Sequence, residues 1–146
     1  MTMFRLHSIL CPTDFSPCAT AAVDYAIELA RRVQAEVALV HVVPEFDHYI
    51  VGLDMIAVLP QLIDQSCAKA EDELHKIRRQ YADLTVHTEV RRGSPHESIL
   101  SAAKGMDLIV IGTHGRTGIK HVMLGSVAER IVRYSSVPVL TVRKPN

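Results

Sequence analysis

The chain has 146 residues, with 16 Lys and Arg against 16 Asp and Glu. That length suits one domain able to enclose a full core, and zero formal charge leaves no global field to draw in nucleic acid or an anionic membrane. Any anion site must therefore be local.

The opening stretch MTMFRLHSIL holds too short an apolar run for a signal peptide. No run anywhere approaches the length of a membrane span, so a cytoplasmic protein is expected. The cysteines, Cys11, Cys18 and Cys67, are odd in number and form no CxxC; they read as small buried hydrophobes. None of the eight histidines pairs with another at the i, i+4 spacing of zinc-binding helices, and no metal site is expected.

The chain then alternates strands and helices. Ser8 to Cys11 is a short apolar strand that runs into Pro12-Thr13-Asp14-Phe15. Ser16 before Pro17 is a helix N-cap with proline at the first helical position, and the helix should bury Ala19, Ala22, Val23, Ala26, Ala30 and Val33. Glu36 to Val43 is a second strand, apolar enough to be covered on both faces, and Pro44 ends it. Residues 45–59 allow a short helix or a mobile flap. A long helix follows from Pro60 to Tyr81, with Leu62, Ile63, Ser66, Ala70, Leu74, Ile77 and Tyr81 at helical spacing. Thr85 to Arg91 alternates as an edge strand. Ser94-Pro95-His96-Glu97 has the form of a capping box, and its helix should bury Ile99, Leu100 and Ala103 before Gly105 closes it. Leu108 to Ile111 is the fourth strand. After a glycine-bearing loop, a helix from Ser126 to Tyr134 should turn Val127 and Ile131 inward, and Pro138 to Val142 is the fifth strand.

This alternation implies right-handed crossovers and a mostly parallel sheet, a single doubly wound α/β domain over residues 1–146. Such sheets bind ligands beyond the carboxyl ends of their strands, where successive crossovers leave for opposite faces. If the first strand lies beside the fourth, the Pro12–Ser16 loop and the Gly112–Ser126 loop converge there. Gly112, Gly115 and Gly118 would let the second loop turn closely around a ligand. Gly125 and Ser126 stand where a helix begins, with unpaired N–H groups and the positive end of its dipole, a setting suited to phosphate. Asp14 would repel phosphates and is better placed to accept hydrogen bonds from ribose hydroxyls, or else to close an Asx-turn. The loop is no Walker A motif, because Gly125 rather than Lys precedes Ser126, and its glycines are too far apart for the dinucleotide fingerprint.

The spacing Gly112-x2-Gly115-x9-Gly125-Ser126 resembles the nucleotide-binding signature of the universal stress protein family. The segments ILCPTDFS, LVHVV, GSPHESIL and VPVLTVR extend the resemblance over essentially the whole chain. It implies a Rossmann-like five-stranded sheet in the order 3-2-1-4-5, a homodimer joined through the last strand, and binding of ATP, with ADP or AMP as alternatives and Mg accompanying ATP. By position, Pro12 and Asp14 would flank the adenosine and its ribose, and Val42 would offer backbone groups to adenine. Gly112, Gly115, Gly125, Ser126 and Val127 would hold the phosphates, with His114 and Arg116 in the same loop. Residues 46–59 depart from the family pattern.

Phosphoryl transfer needs metal-holding carboxylates and a group that positions the nucleophile. Near the glycine loop the sequence offers only Asp107, at the far end of its strand, and Asp14. Ser126 has neither a GxSxG elbow nor a partner base. The expected function is therefore nucleotide holding, sensed through a protein partner, with no catalytic residue. A slow ATPase or other adenosine-phosphate enzyme, and a nucleotide that cements a dimer, are the alternatives.

Overall fold

A computed structural model describes residues 5–45, 52–114 and 124–144, with backbone alone at 53 and 54. In chain order the elements are β1 (Ser8–Pro12), α1 (Pro17–Val33), β2 (Glu36–Val43), α2 (Leu53–Ile56), α3 (Leu59–Gln80), β3 (Val86–Arg92), α4 (Pro95–Ala102), β4 (Leu108–Gly112), α5 (Ser126–Tyr134) and β5 (Val139–Val142). All four strand pairings are parallel, and the sheet runs β3-β2-β1-β4-β5. This is the expected doubly wound order, with β3 at one edge and β5 at the other.

The twofold periodicity of the strands divides the core into two layers. Ile9 and Cys11 of β1, Val37 and Leu39 of β2, and Val110 of β4 pack with Ala22, Val23, Ala26 and Ile27 of α1 and Leu74 of α3. The alternate residues Leu10, Val40, Ile109 and Ile111 pack on the opposite face with Ile99 of α4 and Ala128 and Ile131 of α5. Because both faces are covered, the central strands need apolar side chains at nearly every position. That requirement explains why they read as continuous hydrophobic runs.

Helix starts and stops follow local chemistry. The Ser16 hydroxyl accepts a hydrogen bond from the Ala19 N–H at 3.2 Å, capping α1 ahead of Pro17. The helix ends at Gln34, which takes a left-handed conformation (φ 59°) and donates its N–H to the Ala30 carbonyl. That turn sends Ala35 into the core and leaves Val33 41% exposed, against the expected burial. On α3 the inward stripe is Cys67, Ala70 and Leu74, with Ile63 and Ile77 partly covered, whereas Leu62 and Ser66 face outward. Before α4, Ser94 is the N-cap residue but makes no side-chain capping bond; its hydroxyl instead pairs with His96 Nδ1 at 3.1 Å. The expected capping box is therefore not formed. Of residues 45–59, the single turn α2 is helical and Leu59 already opens α3, while 46–51 lie outside the described residues. Among the described residues no helix is long and apolar enough to cross a membrane.

Candidate functional site

A cavity of about 360 Å³ opens at the carboxyl ends of β1, β2 and β4. Its walls are supplied by Pro12, Thr13 and Asp14 after β1, by Val40, His41 and Val42 of β2, and by Ile111, Gly112, Thr113 and His114 at the end of β4. Pro95 and Ile99 of α4 and residues 125–128 at the start of α5 close the remaining side. Pro12, Asp14, Val42, Gly112, His114, Gly125, Ser126 and Val127, all singled out from the sequence, are thus brought together in one cavity. Gly115 and Arg116, like Gly118, lie outside the described residues.

The loop after β1 is tightly organised. Thr13 donates its N–H to the Val40 carbonyl at 2.9 Å, which ties the loop to β2. The Thr13 hydroxyl accepts the Phe15 N–H at 3.0 Å, and Asp14 Oδ1 accepts the Ser16 N–H at 3.0 Å, an Asx-turn around the carboxylate. Phe15 sits in the left-handed region at φ 63°, rare for an aromatic residue. Its ring stacks on the His41 imidazole with centroids 4.6 Å apart and planes inclined by 26°. His41 is buried, and its Nδ1 lies 2.8 Å from the Thr13 carbonyl. A carbonyl only accepts, so Nδ1 carries the proton.

The opposite wall begins at Gly112. A side chain there would place its Cβ 2.9 Å from the Cys18 carbonyl oxygen and 3.2 Å from the Ala19 nitrogen, both backbone atoms in the first turn of α1. Glycine is needed for close strand–helix packing. Its left-handed freedom is not used, which corrects the reading of Gly112 as a turn glycine. Thr113 then donates its N–H to the Val142 carbonyl at 2.9 Å, and its own carbonyl accepts the Gly125 N–H at 2.6 Å. Gly125 is the N-cap of α5, with no side-chain capping bond, and Ser126 is the first helical residue. The first-turn N–H groups have no acceptor within the helix, and the positive end of α5 forms that wall of the cavity.

Two thiols near the site differ in character. Burial, reinforced by the Asp24 charge, pushes the Cys11 thiol up to about 12. Burial also raises Cys18, but hydrogen bonds from the His114 backbone and the Thr113 hydroxyl outweigh it and the net shift is downward. Asp107 is far from this chemistry. Its carboxylate accepts the His7 and Ser8 N–H groups at 2.8 and 3.0 Å, pinning the start of β1 to the start of β4.

Thr13, His41, Thr113 and Pro95 were not singled out from the sequence. The two threonines carry a usable signal, since each is the first polar residue after an apolar parallel strand. His41 carries none, because it interrupts β2 as any buried polar residue would.

A mostly apolar cavity at the switch point of a doubly wound sheet, with one carboxylate among its described lining residues and one helix start in its walls, is the setting in which α/β domains of this kind take small molecules. Residues 5–143 match the Universal stress protein family, and the chain belongs to it. It is 35% identical over 142 residues to universal stress protein MJ0531 of Methanocaldococcus jannaschii, a match spanning 94% of this chain and 82% of that protein. The solved structure of MJ0577, from the same organism, is 31% identical and superposes with a TM-score of 0.85, covering 98% of this chain and 99% of the other. Universal stress protein UspA from Lactobacillus plantarum is 29% identical and superposes with a TM-score of 0.87, covering 97% of this chain and 100% of its own.

Proposed function

We propose that the cavity holds an adenine nucleotide, ATP in the first place with ADP and AMP as alternatives, and that a protein partner reads the occupied and empty forms. The observation that carries this reading is the joint presence of Asp14, apolar walls and the start of α5 in one cavity. Its volume lies within the roughly 300–1,000 Å³ of small-molecule sites. Val40, Val42 and Ile99 suit a flat base, with Val42 and Pro12 flanking adenosine. Asp14 suits ribose hydroxyls. Gly112, Gly125, Ser126 and Val127 suit phosphate oxygens, with His114 beside them and Gly115 and Arg116 completing the loop. Mg would accompany ATP.

Two more distant proteins carry such ligands: a universal stress protein in complex with cAMP, 23% identical with a TM-score of 0.63, and an Arabidopsis thaliana family protein with AMP bound, 17% identical with a TM-score of 0.66. At those identities the likeness is one of fold.

Holding is favoured over turnover. Asp14 is the one carboxylate among the described lining residues, and Asp107 is committed to backbone N–H groups at the far end of β4. In-line phosphoryl transfer uses several metal-holding carboxylates. A second reading, a nucleotide that cements a homodimer, is favoured by β5. It ends the sheet, and an edge strand invites antiparallel pairing with a second copy.

Mass spectrometry of ligand released by denaturing freshly purified protein tests the proposal, with an adenine nucleotide expected at close to one per chain. Its absence, together with no heat of binding on titration with ATP, ADP or AMP, would overturn it. Phosphate release at saturating ATP separates the holder from an ATPase.

A further inference from the structure

We infer that His41 is a positioning residue that sets Asp14 for ribose recognition. The inference rests on the nucleotide reading above and concerns how its selectivity arises. Asp14 sits between Thr13 and Phe15, and His41 holds both neighbours from outside the loop. Its Nδ1–H bonds the Thr13 carbonyl at 2.8 Å, and its ring stacks on Phe15 at 4.6 Å.

The loop is tied down at both ends, at Thr13 by the Val40 carbonyl and at Ser16 by its cap on α1, and the carboxylate lies between those ties. The Phe15 N–H to Thr13 hydroxyl bond and the Ser16 N–H to Asp14 bond both lie within the loop. Phe15 at φ 63° is a conformation that a phenylalanine leaves readily unless something outside the loop holds it. Phe15 packs against the core on the α1 side of the sheet, and the buried imidazole grips the residues either side of the carboxylate. A side chain from β2 thus constrains the angle at which a carboxylate after β1 meets its ligand. Hydrogen bonding to a hydroxyl pair depends steeply on that angle.

ATP and 2′-deoxy-ATP titrated against the same protein read this directly. Wild type should prefer ATP by about tenfold or more, the worth of one charge-assisted hydrogen bond. His41→Phe keeps an aromatic ring and removes the donor. It should reduce the preference to within about threefold, through weaker ATP binding at nearly unchanged deoxy-ATP affinity. His41→Asn restores a donor near the Nδ1 position and should recover most of the preference, which a merely structural role for the ring would not. An unchanged preference in a folded His41→Phe protein, or equal weakening of both nucleotides, overturns the inference. If His41→Phe does not fold, Phe15→Gly decides on the same ratio: glycine accepts the φ at no strain but loses the stack, so a fully retained preference overturns it. Wild-type protein that binds no adenine nucleotide overturns the site reading itself, and this inference with it.

Discussion

Gly112→Ala isolates the packing of β4 on α1. The added methyl carbon would stand 2.9 Å from the Cys18 carbonyl oxygen, 3.0 Å from its carbon and 3.2 Å from the Ala19 nitrogen. All three are backbone atoms in the capped first turn of α1, so no rotamer change relieves the contact, and strand and helix must separate by some tenths of an ångström. Overpacking of this kind costs about 1–3 kcal/mol. At roughly 2–4 °C per kcal/mol for chains of this size, the melting temperature should fall by roughly 2–12 °C. Two other glycines serve as controls. Gly105 has open space around its would-be Cβ but φ of +82°, so Gly105→Ala should cost about 1 kcal/mol through backbone strain alone. Gly52 has open space and an ordinary φ, and Gly52→Ala should change stability by a few tenths of a kcal/mol. Urea unfolding of the three variants, read at constant m-value, ranks them. A Gly112→Ala protein as stable as Gly52→Ala would refute the claim that the strand–helix approach is rigid.

Four further outcomes are expected. Asp14→Ala should weaken ATP and AMP alike, by on the order of 1–3 kcal/mol on calorimetric titration; a loss confined to ATP would move Asp14 from the ribose to the phosphates. Hydrogen bonds from the His7 and Ser8 backbone, outweighing a modest desolvation, hold the Asp107 carboxyl below its ordinary 3.8. Its stabilising effect is therefore fully present above pH 3.8 and lost as pH falls through the depressed value. The stability gap between wild type and Asp107→Asn, measured by denaturant midpoints, should narrow below about pH 4, and a gap that widened with acid would contradict this assignment. Cys11, with its thiol raised to about 12, should resist alkylation at about pH 8 until the protein unfolds; prompt labelling in the native state would show that β1 opens. In sedimentation the wild type should run as a dimer through β5, and a single species at monomer mass across micromolar concentrations would remove that assembly.

The sheet was legible in the sequence because β1, β2 and β4 must be apolar on both faces, and such runs have few other uses. Errors fell where the buried face of a helix depends on the turn beyond its end or on a neighbouring element. Val33 lies on the right stripe of α1, yet the left-handed turn at Gln34 hands its place to Ala35. Leu62 and Ser66 sit one position off the α3 stripe, where spacing alone admits either neighbour. The SPHE pattern marked the start of α4, but the adjacent imidazole competes for the Ser94 hydroxyl, a contact that no periodicity reveals. At the site, parallel-sheet topology brings together residues that local signals nominated separately, Asp14 with Gly125 and Ser126. Gly112 lines the cavity, but the demand for glycine there comes from the backbone of a helix far earlier in the chain. His41 acts through a carbonyl and a ring in another loop, and such a partnership exists only in three dimensions.

Thr113 links two elements through one peptide segment: its N–H is held by the Val142 carbonyl at the end of β5, and its carbonyl holds the Gly125 N–H that opens α5. The same Val142 carbonyl also accepts the Cys18 thiol of α1. The start of α5 is therefore referenced to a strand that comes after it in the chain. During synthesis, β1 through β4 and even the body of α5 emerge before the residue that completes this relay. Final alignment of the start of α5 must wait for β5 to dock, so the cavity wall that it forms is among the last features of the domain to settle.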